Sequence, residues 1–150
     1  MQARLDYQKV APEALHAMLA VEKYAANSGL EYSLYELVKT RASQINGCAY
    51  CLDMHTKDAR RAGETEQRLY ALSAWRDTPF YTPRERAALA WTEALTLVSQ
   101  EGAPQELYDA TAEHFSPKEM VSLTMAIIAI NGWNRLAIGF GNVAGTYTPQ

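Results

Sequence analysis

Apolar residues recur at three- and four-residue spacing through most of the chain, and nowhere do apolar and polar residues alternate with a period of two. Only a helix brings positions three and four apart onto one face, so the spacing predicts an all-α fold. With 150 residues, the simplest arrangement is a single-domain bundle spanning residues 1–150. About six to eight helices would bury roughly 68–70 % of the unfolded surface in one core.

Local signals set the boundaries. Pro12 at a first helical position opens a segment that carries Leu15, Met18, Leu19 and Val21 and closes near Gly29. Ser33 with Glu36 three residues on reads as a capping box, opening a helix that buries Leu34, Leu37, Val38 and Ile45. Asn46-Gly47 ends that helix, and Asn46 is a suitable N-cap for the next, which runs to Ala62. A shorter helix from Thr65 puts Leu69, Leu72 and Trp75 on one face.

Thr82-Pro83-Arg84-Glu85 and Ser116-Pro117-Lys118-Glu119 are two starts of one design: a cap, a first-turn proline and a capping-box glutamate. The first predicts a helix to about Gln100 and the second follows a helix from Pro104. From Pro117 to Ile130 the chain is apolar nearly all round, which predicts a helix central to the bundle or buried between subunits. Gly132, Gly139, Gly141 and Gly145 are expected to loosen the chain beyond it, and the tail GTYTPQ reads as a surface or interface arm.

The reactive side chains concentrate between Glu36 and His55. The only two cysteines stand three residues apart, and a histidine lies four beyond the second. On one continuous helix Cys51 and His55 occupy i and i+4 on a common face, with Cys48 one turn back at the helix N-terminus. Glu36, twelve positions before Cys48, can lean across the Asn46-Gly47 turn and orient His55, because a base needs a third group to fix its tautomer. Its competing role is to cap Ser33.

A free thiol has a pKa of about 8.5, and the nucleophile is the thiolate, which both a helix N-terminus and an imidazole favour. The dipole favours Cys48 and the i,i+4 relation favours Cys51, so spacing alone does not choose the attacker. His16 and His114 read as surface or structural histidines. Lys57, Arg60 and Arg61 read as a solvated, basic helix end.

Charge and composition exclude other classes. A net charge of −3 without a basic run leaves no footprint for nucleic acid. The longest apolar stretch, VSLTMAIIAI, is about half a membrane span, and the N-terminus lacks the apolar run of a signal peptide. A cytoplasmic protein with no membrane partner is expected, and a lone C-x-x-C suits a reducing compartment in which a dithiol cycles. Zinc would take Cys48, Cys51 and His55 but wants a fourth ligand that Glu36 or Asp53 would supply only awkwardly, so no metal and no cofactor are expected.

The spacing of Glu36, Cys48, Cys51 and His55 resembles the thiol site of the alkylhydroperoxidase D-like (AhpD-like) branch of the carboxymuconolactone decarboxylase family. The stretches TPRERAALAWTEALT from Thr82 and INGWNRLAIGF from Ile130 resemble that family's core. The resemblance implies an AhpD-like helical domain and a thiol-dependent peroxidase that reduces hydroperoxides. In such proteins the second cysteine attacks and the first resolves, which gives those roles to Cys51 and Cys48, with Glu36 and His55 as proton relay. Tyr50 stands where some members carry a second histidine, so no relay through that position is implied.

The resemblance also implies a thiol reductant, either a dihydrolipoyl adaptor, a thioredoxin-like protein or a small thiol, and a homotrimer or homohexamer. Two other readings use the same fold. One is decarboxylation of a carboxylated lactone, which has no need of paired thiols; the other is a non-enzymatic redox sensor or oligomeric binding protein whose dithiol only changes its shape.

Overall fold

Every regular element among the described residues, 2–149 of a computed structural model, is helical. The helices are α1 (Tyr7–Val10), α2 (Pro12–Ala26), α3 (Tyr32–Asn46), α4 (Ala49–Arg61), α5 (Glu66–Ala71), α6 (Pro83–Thr96), α7 (Val98–Glu101), α8 (Gln105–Ala112) and α9 (Pro117–Phe140), with a 3-10 segment over Leu72–Asp77. Two of the nine are single turns of four residues, which leaves seven longer helices in the expected range.

Both proline-led starts form as the sequence predicts. Thr82 accepts a hydrogen bond from the Glu85 amide and Ser116 from the Glu119 amide, while each glutamate accepts from the amide of its cap. These reciprocal bonds satisfy donors that a helix start otherwise leaves orphaned.

Helix α3 is the hub, packing against α4, α6 and α9, and α2 lies across α9. Leu37, Val38 and Ala42 of α3 are fully buried, as are Leu123, Ala126, Ile127, Ala129 and Ile130 of α9 and Ala88 and Leu89 of α6. Each fully buried leucine or isoleucine contributes about 1.5–3 kcal/mol. By length and apolar content α9 matches a membrane span, yet it packs against α2, α3, α4 and α6, the setting of a core helix.

Several boundaries differ from expectation for identifiable reasons. α9 does not loosen at Gly132 but continues to Phe140. A Cβ at Gly132 would stand 2.7 Å from Met18 Cε, so the end of the Met18 side chain from α2 fills the space beside this glycine, and the helix carries its cost of about 1 kcal/mol. α3 begins at Tyr32 with Glu31 at the cap position and no side-chain cap. The Ser33 capping box is therefore absent, because Glu36 is turned inward.

Asn46 closes α3 and does not cap α4, since its side-chain amide donates to Asn131 and Asn134 of α9 at 3.0 and 2.8 Å. Gly47 then takes a left-handed φ of +68°, which glycine adopts without steric cost. The segment from Thr65 passes from α5 to the 3-10 segment at Leu72 and kinks within it at Ala74, and α6 and α7 are separated at Leu97 rather than forming one helix to Gln100.

Candidate active site

The sharp α3–α4 turn puts Cys48 at the N-cap of α4, where its Sγ accepts from the Cys51 amide at 3.4 Å. The Cys48 amide donates to the Ser43 carbonyl at 3.0 Å, and Ser43 Oγ accepts from the fully buried Asn134 of α9 at 3.1 Å. The asparagine ladder from Asn46 to Asn134 thus ties this turn to the core. Cys48 and Cys51 are joined by a disulfide across a Cα separation of 5.3 Å, and both are buried.

One turn after Cys51, His55 is buried and directs Nδ1 to Glu36 Oε2 at 2.9 Å. A carboxylate only accepts, so Nδ1 donates the proton of this bond, and Nε2 is the ring nitrogen left to exchange one. Nε2 is buried and has no hydrogen-bond partner in the protein. Cys51 and His55 share a cavity of about 260 Å³ whose apolar wall includes Leu15, Leu19, Met54 and Trp133. Cys48 instead lines a separate cavity of about 170 Å³ with Gly47, Ile138 and Gly141, and Tyr50 borders both.

The larger cavity has a second polar wall. The buried Lys39 pairs with Glu22 and lies 3.1 Å from the Tyr35 hydroxyl, and Glu22 also accepts from Tyr35 at 2.5 Å and from Trp133 Nε1 at 2.9 Å. Burial works to raise the Glu22 carboxyl, but the charge and hydrogen bond of Lys39, with the Tyr35 and Trp133 donors, hold it below the usual carboxylate range. Burial and the Glu22 carboxylate push the Tyr35 phenol upward.

Behind His55 the C-terminal tail returns over α4. Tyr147 donates to both Asp58 oxygens at 2.8 and 3.0 Å, Lys57 donates to the Tyr147 carbonyl at 2.9 Å, and Arg61 donates to the Pro149 carbonyl at 3.0 Å. Lys57 and Arg61 are therefore clasps for the tail and not merely solvated cations. Burial, the Asp58 hydrogen bond and its charge push the Tyr147 phenol to about 12. Burial with the Glu36 and Asp58 carboxylates does the same to Tyr32, also to about 12.

All four residues singled out in the sequence, Glu36, Cys48, Cys51 and His55, meet at the α3–α4 junction. His16 is exposed on α2, and the carbonyl of His114 serves Arg84 far from the thiols. Among the described residues, the groups that bring ligand-forming atoms within 4.8 Å of one another are Glu36, His55 and Asp58, not the zinc set of Cys48, Cys51 and His55. Sequence reasoning passed over Glu22, Lys39, Asp58 and Tyr147. Asp58 at i+3 from His55 and Lys39 at i+3 from Glu36 were legible by helical spacing, whereas nothing in the sequence ties Tyr147 to the site.

Comparison with known proteins places this geometry among relatives. Residues 12–94 match the model of the carboxymuconolactone decarboxylase family. The uncharacterized protein YdfG of Bacillus subtilis (strain 168) is 46 % identical over 146 residues, 97 % of this chain and 99 % of its own length. A solved structure from Agrobacterium tumefaciens, ATU0492, a protein of unknown function provisionally named antioxidant defence protein AhpD, superposes with a TM-score of 0.94 at 45 % identity. That match covers 97 % of this chain and 100 % of the other. The debrominase Bmp8 shares the fold at a TM-score of 0.82 and 21 % identity, over 93 % of this chain and 75 % of its own.

Proposed function

The chain belongs to the carboxymuconolactone decarboxylase family and has the fold of its AhpD-like members, and from that premise we propose that it is a thiol-dependent peroxidase working through Cys48 and Cys51. The observation that carries the reading is the buried Glu36–His55 bond, which leaves an unpartnered Nε2 on the ring beside Cys51 in a shared cavity. Fold alone would not suffice, since related folds serve other chemistry.

In the reduced protein, His55 Nε2 takes the Cys51 proton, and the thiolate attacks the terminal, hydrogen-bearing oxygen of the hydroperoxide. The O–O bond breaks, Cys51 becomes a sulfenic acid, and the departing alkoxide takes the proton back from His55 to leave as an alcohol. The Cys48 thiol then gives up its proton and attacks the sulfenic sulfur, the S–O bond breaks, and the departing hydroxide takes up that proton and leaves as water as the disulfide closes. An external dithiol supplies the two electrons that restore both thiols. Cys48 suits the resolving role because it sits one turn away and faces its own cavity, where a reductant would meet it.

The same reading puts the protein in the cytoplasm, where thiol reductants are abundant. It also favours self-association, for Val98, Val121, Ile128 and Ile138 remain exposed, and the family resemblance makes the assembly a homotrimer or homohexamer. The deciding experiment is peroxide consumption by reduced protein with a panel of dithiol donors. One hydroperoxide should disappear per chain with loss of two thiols, and a suitable dithiol should support turnover. Thiols that survive excess peroxide at neutral pH would rule the proposal out, while oxidation without turnover by any donor would favour the redox sensor.

A further inference from the structure

The proton relay has a neighbour that the thiol chemistry leaves unused. Asp58 lies on α4 one turn beyond His55, and a carboxylate oxygen of Asp58, a Glu36 oxygen and a His55 ring nitrogen lie within 4.8 Å of one another. Two carboxylates therefore compete for one imidazole, but only Glu36 bonds it. Asp58 is engaged by the Tyr147 phenol, whose single proton is shared between both carboxylate oxygens at 2.8 and 3.0 Å.

The tail that brings Tyr147 there is fastened independently. The Gly145 amide donates to Asp53 at 3.0 Å, and Lys57 and Arg61 hold the Tyr147 and Pro149 carbonyls. Three contacts along α4 besides the phenol's own fix a segment of five residues, from 145 to 149, that has no helix of its own. Such an anchorage determines where the phenol stands.

We propose that Tyr147 and Asp58 are positioning residues of the relay: the phenol holds the Asp58 carboxylate away from the ring and spreads its charge, so that Glu36 alone fixes the His55 tautomer. The inference rests on the reading of Cys51 and His55 as thiol and base. A carboxylate close to an imidazole favours the imidazolium, and the imidazolium in turn favours the Cys51 thiolate. Asp58 then supports thiolate formation by its charge, and the Tyr147 hydrogen bond moderates that support.

The other groups around His55 are Glu36 and Tyr32 from α3, Cys51 and Tyr50 from α4, and the Lys39–Glu22 pair across the cavity from α3 and α2. Tyr7 of α1 also lines the cavity, and α9 contributes Trp133 and Ala137, which carry no charge.

The test measures alkylation of Cys51 by iodoacetamide against pH, in reduced protein carrying Cys48→Ser so that one thiol reacts. Tyr147→Phe and Asp58→Ala delete the same hydrogen bond, but only the second deletes the charge. Asp58→Ala should slow alkylation at pH 7 about three- to tenfold, whereas Tyr147→Phe should hasten it by a smaller factor. Asp58→Asn, which keeps an acceptor for the phenol, should follow Asp58→Ala. Shifts in the same direction, as a loosened tail would give, or no shift in any of the three variants, would overturn the proposal. Opposite shifts in a protein that consumes no peroxide would leave the positioning role standing and remove the peroxidase reading.

Discussion

Glu36 of α3 and His55 of α4 meet at 2.9 Å with both side chains almost wholly withdrawn from water. This one bond decides two questions that helical spacing leaves open. It takes Glu36 away from Ser33, so α3 starts without a side-chain cap, giving up on the order of 1 kcal/mol that a good cap supplies. It also gives the imidazole a defined tautomer, which an isolated histidine on α4 would lack.

The first prediction concerns the base. His55→Ala should leave both thiols intact and slow their reaction with peroxide about 10²–10⁴-fold at pH 7. The deficit should shrink as pH rises toward about 8.5, where a free thiol ionises without help. Glu36→Gln should slow the reaction less, because it removes the charge behind the ring and not the base itself. Stopped-flow peroxide reduction from pH 6 to 9 measures both, and a pH-independent deficit in His55→Ala would show that the imidazole does not act by deprotonating the thiol.

The cysteines should divide their labour. Cys51→Ser should not react with stoichiometric peroxide at neutral pH, whereas Cys48→Ser should react once and stop at a sulfenic acid on Cys51. Dimedone should trap that species, and excess peroxide should drive it to the sulfinic acid. Mass spectrometry of the labelled peptides reads the outcome directly. A dimedone adduct on Cys48 in the Cys51→Ser variant would reverse the roles, with the α4 dipole outweighing the histidine.

A third prediction tests a helix start. The Ser116 amide and hydroxyl, followed by the Arg84 guanidinium, hold the Glu119 carboxyl down to about 2. A carboxyl whose pKa is lowered on folding stabilises the protein above its unfolded value, and loses that contribution as pH falls through the folded one. Glu119→Gln should therefore lower the melting temperature by about 2–4 °C at pH 7, as expected for a loss near 1 kcal/mol in a chain of this size. Thermal melts of both proteins should converge between pH 4.5 and about 2. An unchanged difference at pH 2 would show that the charge of Glu119 contributes nothing.

Much of this architecture was legible from local grammar. The boxes at Thr82 and Ser116 form as written because all their partners lie within four residues. The Ser33 box and the Asn46 cap failed for the opposite reason: Glu36 and Asn46 found partners 19, 85 and 88 residues away, in His55, Asn131 and Asn134. Gly132 likewise reads as a break, yet α9 runs through it to Phe140. The thiol cluster was readable because a dithiol and its base fit on one helix face. Helical spacing puts Lys39 and Asp58 near the site, but their partners Glu22 and Tyr147 arrive on another helix and a tail brought in only by folding, and sequence spacing carries no trace of those pairings.

The last prediction concerns assembly. α9 buries one face against α2, α3 and α6, but Val121 and Ile128 remain 55 % and 51 % exposed, and Val98 of α7 is 57 % exposed. Ile128 and Val98 line a common groove with Leu95 and Ile127, edged by Thr124, Asn131 and Arg135, so the exposed apolar residues are grouped and not scattered. Leaving such a surface in water costs about 25 cal/mol for each Å² that a partner would cover, and closed rotational symmetry lets identical copies cover it. The protein should therefore elute as a symmetric oligomer at micromolar concentration, a trimer or hexamer if it follows the family resemblance. If this groove is the contact, Ile128→Arg should shift it toward the monomer, because a second cation would join Arg135 in a surface that has to be buried. Light scattering coupled to size-exclusion chromatography measures both. A wild-type mass of 16.7 kDa would remove the case for self-association, and an unchanged oligomer in Ile128→Arg would move the interface to another face.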